Sequence, residues 1–226
     1  MNYLWTEDSG AGLHFWKLVN QLFFENQLLV ESKGSNQGLL DAVSQVKCKG
    51  EDTYYIAFDY VVDNQDIRNK YRLLKMMADK SENQIVILDM ICFEYLILAF
   101  DQLVSWTGTG KKDKIKMREE ILEAVENHRI SLAKIKDEAT LRYLSGFKRF
   151  STERVMKALA GELTENENWS IRGALMGKCW YKDCCISKYP ERIRCGRPEL
   201  GEGNKKMGVL IQSDTVQTVL KEITRG

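Results

Sequence analysis

The sequence predicts an α/β protein: a mostly parallel four-stranded sheet with helices on both faces, followed by a mainly helical, cysteine-rich region. Three observations lead there. Short apolar or aromatic runs at 2–6, 27–30, 53–58 and 84–88 have the length and composition of buried strands. Between them, apolar residues recur at helical spacing. Each intervening stretch is long enough to be a right-handed crossover, which parallel neighbours require.

Taken in order, Asn2 to Thr6 is aromatic-rich and reads as the first strand, and Gly10 and Gly12 punctuate the turn that follows. Leu13, Trp16, Val19, Leu22 and Phe23 then form one apolar stripe of a helix reaching about Phe24, with His14 on its course. Gln27 to Val30 is the second strand, ended by Glu31-Ser32-Lys33-Gly34. Ser35 suits the N-cap of a helix whose inner side is Leu39, Leu40, Val43 and Val46. After the third strand, a helix over 65–80 buries Ile67, Tyr71, Leu74 and Met77 and exposes Arg68, Lys70, Arg72 and Lys75. The fourth strand leads into an apolar helix over 91–106. Gly108-Thr109-Gly110 marks a linker, so residues 1–106 form the α/β domain and 107–226 the helical region. There the spacing predicts helices over 114–136, 138–145, 152–163 and 212–224, with His128 packed inside the first.

Hydrophobic residues make up 44% and charged residues 29%, enough to bury a real core. A net charge of +1 excludes a generally basic coat but allows a local basic groove. The longest apolar run, 85–100, is interrupted by Asp89 and Glu94 and is too short to cross a bilayer. No basic start precedes an apolar stretch, so no signal peptide is expected. The expected setting is the cytoplasm, where the six cysteines stay reduced or bind metal.

Carboxylates stand where two strands run out: Glu7 and Asp8 after the first, Asp59 and Asp63 after the third. In open α/β sheets ligands bind outside these strand ends, at the point where strand order reverses. Hard divalent cations such as Mg²⁺ or Mn²⁺ take oxygen ligands and can neutralise a phosphate during attack. The plainer reading is that Asp59 or Asp63 caps the helix starting near Gln65. Glu31 ends the second strand, off to one side. Glu94 sits in an apolar run and needs a partner, either Arg68 or the periphery of the metal site.

In element order and in these motifs the chain resembles the Toprim family of topoisomerase, primase and defence-associated nuclease modules. Thr6-Glu7-Asp8-Ser9-Gly10 resembles its glutamate motif, Phe58-Asp59-Tyr60-Val61-Val62-Asp63 its Asp-x-Asp motif, and Cys92-Phe93-Glu94-Tyr95-Leu96-Ile97-Leu98 the stretch after its fourth strand. The resemblance covers about the first hundred residues. It implies a Mg²⁺-dependent nuclease acting on DNA or RNA, with Glu7, Asp59 and Asp63 catalytic and Asp8 an accessory ligand. It also implies a setting in prokaryotic anti-phage defence, beside a protein partner that supplies target choice. The family's second aspartate would fall at Val61. Either Asp63 substitutes for it, or the module is a degenerate one that binds or scaffolds.

Cys179, Cys184, Cys185 and Cys195 are close enough in sequence to close a structural Zn²⁺ site, or to be reduced structural thiols. Lys111, Lys112, Lys148 and Arg149 are candidates for holding a nucleic-acid backbone, against the alternative of solvated helix faces. No Gly-x-x-x-x-Gly-Lys-Ser/Thr loop is present, so no ATPase is expected.

Overall fold

A computed structural model of the chain describes residues 1–9, 11–47, 50–100, 111–164 and 213–223. The cysteine cluster at 179–195, Cys48 and the expected boundary at 106–107 lie outside the described residues, as does the side chain of His14.

Four strands, β1 (Asn2–Thr6), β2 (Leu28–Ser32), β3 (Thr53–Ala57) and β4 (Ile85–Ile87), form one sheet in the order β2-β1-β3-β4. All three pairings are parallel, with Thr6 opposite Ser32 on one side and Ala57 on the other. The crossovers are α1 (Ala11–Phe23), α2 (Asn36–Ser44) and α3 (Gln65–Asp79). Because β1 lies between β2 and β3, the chain moves outward through α1 and back through α2. Strand order therefore reverses between β1 and β3.

Strand alternation sorts the side chains onto two faces. Trp5, Ile56 and Phe58 pack with Leu39 and Val43 of α2 and Ile67 and Leu74 of α3. Leu4, Tyr55 and Ala57 face the other way, onto Phe15, Trp16 and Val19 of α1. That second cluster continues into α4 (Phe93–Ala99), α5 (Lys112–Ala124), α7 (Thr152–Thr164) and α8 (Asp214–Leu220), so the later helices share the sheet's core. Arg118 of α5, itself buried, donates from Nε to the Leu98 carbonyl at 2.6 Å and from Nη2 to that of Phe100 at 3.0 Å. These bonds satisfy carbonyls that the end of α4 would otherwise leave unpaired.

Local signals explain the boundaries. Ser35 accepts from the Gly38 N–H at 3.0 Å, the cap its sequence suggests. Asn64, not Asp59 or Asp63, caps α3, accepting from the Asp66 N–H at 3.0 Å. Glycine at 38 is dictated by close approach, since a Cβ there would run into the Lys33 carbonyl.

The helix expected over 114–136 is a correction. It ends at Ala124, and Val125–Glu126 (β5) and Arg129–Ile130 (β6) form a small antiparallel hairpin. Asn127 and His128, at φ 49° and 63°, supply its two-residue turn, because two left-handed residues match the twist of the flanking strands. A 3₁₀ turn at Leu132–Lys134 and α6 (Glu138–Ser145) follow. Of the helix expected over 91–106, the described part runs from Phe93 to Ala99. Among the described residues no helix is long and apolar enough to cross a membrane.

Candidate functional site

The site lies at the carboxyl ends of β1 and β3, where strand order reverses. Asp59 follows β3 and is only 6% exposed. Its main-chain oxygen accepts from Nδ2 of the buried Asn36 in the first turn of α2, at 3.2 Å. Its side-chain Oδ1 is buried with no hydrogen-bond partner. Glu7 follows the neighbouring β1, close enough for its carboxyl and that of Asp59 to act on each other and for the Asn36 backbone to act on it.

Asp8 is held from two sides. Its Oδ2 accepts from Thr6 Oγ1 at 2.7 Å and from Trp16 Nε1 at 3.2 Å. The side chain lies flat against the first turn of α1, where a Cβ on Gly12 would collide with it. Glycine at 12 is thus the condition for Asp8 to fold back over the helix. Those two bonds make Asp8 an anchor of the β1–α1 turn rather than an accessory ligand with that oxygen free.

The electrostatics of this corner are lopsided. Burial raises the Asp59 carboxyl well above the usual carboxylate range, and the charges of Asp8, Glu7 and Glu94 push it further. Burial also raises Glu7, opposed by its bond to Asp59 and reinforced by Asp8 and Glu153. Asp8 is raised by burial against the pull of Thr6, Trp16 and Lys157, and Glu94 by burial against its own backbone N–H and Lys157. The cation facing Glu94 is therefore Lys157 of α7, and the expected partnership with Arg68 is not made. Arg68 Nη2 instead bonds Gln65 Oε1. Cys92, fully buried at the start of α4, has its thiol raised by burial and by Asp59 and Glu94, and its Sγ lies 3.7 Å from Met156 Sδ. It is a core residue.

Asp63 does something else. It is exposed, and its Oδ2 accepts the N–H of Thr152, the first residue of α7, at 2.6 Å. The charges that act most on Asp59 come from Asp8, Glu7 and Glu94. Val61, at the place of the family's second aspartate, is 1% exposed and packed in the α2/α3 core. Glu31 is paired with Lys33 at 2.7 Å. Among the described residues, no group of three or more His, Cys, Asp or Glu side chains is gathered so as to hold a metal ion.

The four basic candidates separate in the same way. Lys111 Nζ is bonded to the Glu162 carbonyl, while Lys112, Lys148 and Arg149 are exposed. Sequence reasoning missed Glu153 and read Lys157 only as part of a basic run with Lys148, Arg149 and Arg154, not as a charge acting on these carboxylates from α7. Nothing local marks that role, because only the docking of α7 onto α4 brings it about. Compared with family models, curated proteins and solved structures, the chain finds no match.

Proposed function

We propose that this chain is a Toprim-like, metal-dependent phosphodiesterase that cleaves a nucleic-acid backbone. One observation carries the reading: a carboxylate at the strand-order reversal that is 6% exposed, faces Glu7, and keeps a buried Oδ1 without a partner. An orphaned, buried anionic oxygen is costly unless a cation completes it. The donor set is all oxygen, which fits Mg²⁺ or Mn²⁺ and no softer metal. Glu7 and Asp59 are the ligands of this reading, and the further charge that acts on Asp59 comes from Glu94 rather than from the expected Asp63. Such an ion, when bound, offsets phosphate charge and activates water. The chain's own part is to hold the two carboxylates apart from bulk water, Asn36 fixing the backbone of Asp59, while the charge of Lys157 acts on Glu94 and Asp8. The defence setting and a partner for target choice rest on the resemblance alone.

The competing reading is a degenerate module that binds or scaffolds, and buried Val61 and the lack of three gathered ligands favour it. Calorimetric titration with Mn²⁺ and cleavage assays on plasmid, single-stranded DNA, RNA and bis(p-nitrophenyl) phosphate separate the two. The nuclease reading expects Asp59→Asn and Glu7→Gln to lose both metal binding and cleavage, the latter by about 10³-fold. If wild type neither binds Mn²⁺ nor cleaves any substrate, the degenerate module is the correct reading.

A further inference from the structure

The loop between α6 and α7, the β5–β6 hairpin and the loop after β3 are tied into one rim. The Ile130 N–H donates to Thr152 Oγ1 at 2.9 Å, the Thr152 N–H to Asp63 Oδ2 at 2.6 Å, and the Val62 N–H to the His128 carbonyl at 3.4 Å. The His128 ring lies 5.1 Å from that of Tyr60, the residue after Asp59. The rim therefore begins at the candidate centre. The first turn of α7 points both ways: Glu153 acts on Glu7, while Arg154 beside it faces solvent.

Beside the exposed Glu126, paired with Lys134, and Asp63, bonded to the Thr152 N–H, this rim displays cations and an aromatic ring. Arg129, Lys148, Arg149 and Arg154 are all exposed, and none has an ion-pair partner among the described residues. Lys116 is paired with Asp137, and Lys134 with Glu126 of the hairpin itself. Exposed cations without an ion pair among the described residues also occur elsewhere, as at Lys75 and Lys112, so what sets these four apart is their place beside the candidate centre. Phe150 follows Lys148-Arg149 directly and is 36% exposed, an aromatic side chain left partly in water beside two free cations. Cations spaced along a ridge suit a chain of phosphates, and an exposed ring among them suits a base with a free face. A duplex offers no such face without unstacking.

We propose that this rim is a binding site for single-stranded nucleic acid, Arg129, Lys148, Arg149 and Arg154 gripping successive phosphates and Phe150 stacking one base. The proposal rests on the phosphodiesterase reading only for what happens next, delivery of the strand to Asp59. Binding itself needs no metal. The test is fluorescence anisotropy of the full chain in chelator, with a labelled single strand of about 16 nucleotides and the matching duplex. Wild type is expected to bind the single strand more tightly than the duplex. Arg129→Ala with Arg149→Ala should weaken binding at least about tenfold and flatten its salt dependence, and Phe150→Ala should weaken it about tenfold with the salt slope unchanged. Asp59→Asn should bind at least as tightly as wild type. Equal or tighter duplex binding, wild-type binding by the Arg and Phe variants, or no strand binding at all would each overturn the proposal. Hydrolysis of bis(p-nitrophenyl) phosphate, which needs no grip on a strand, reports separately on the phosphodiesterase reading.

Discussion

Two acids four residues apart in one loop have opposite surroundings. Asp59 is buried within the field of three other carboxylates, with one oxygen unpartnered. Asp63 is exposed and spends its charge on the first N–H of α7. A third case, Glu31 at the end of β2, has Lys33 2.7 Å away. All three stand just beyond a strand or at its end, and sequence treats Asp59 and Asp63 alike while setting Glu31 to one side. What divides them is the sheet: only the β1–β3 boundary has chain leaving in both directions, which opens a cleft where acids from different segments face each other.

The sharpest way to break this contrast is to remove the charge of Asp59 and follow stability in chelator. The raised carboxyls of Glu7, Asp8, Asp59 and Glu94 contribute stability that is complete below the ordinary carboxylate range and lost as pH climbs through their elevated folded values. Metal-free wild type should therefore melt at falling temperature from acid toward neutral pH. Asp59→Asn should flatten that slope and raise Tm at neutral pH by several degrees. A neutral-pH Tm equal to or below wild type would mean that the cluster is satisfied as it stands.

Asp63→Ala is expected to cost about 1 kcal/mol, the value of a helix cap, and to leave Mn²⁺ affinity within about twofold. Loss of metal binding in that variant would restore Asp63 as a ligand. The smallest effect belongs to Glu31→Gln, within about 0.5 kcal/mol by thermal melting, because its partner is a partly exposed lysine across a surface ion pair. A larger loss would place β2 in the functional edge as well.

The sheet was legible because its signals are local. The aromatic run at 2–6 is a strand over those same residues, Ser35 caps α2, and 138–145 is a helix as its spacing predicts. Ala124 to Ile130 was not, because its apolar spacing suits a helix and the Asn127-His128 turn lacks the glycine that usually signals such a hairpin. In the site, Glu7 and Asp59 were readable from strand ends alone. The role of Asp63 and the reach of Glu153 and Lys157 were not, since all three depend on α7 docking from far along the chain.

That docking sets a schedule. The Asp63–Thr152 bond joins residues 89 apart, and the hydroxyl of the same threonine accepts the Ile130 N–H. During synthesis the carboxylate corner is complete in sequence once α4 has left the ribosome, while Arg154 and Phe150 have yet to be made. A nascent chain thus passes through a stage with the four acids of the corner and without the α7 cations, Arg154 and Lys157, that flank them in the finished fold.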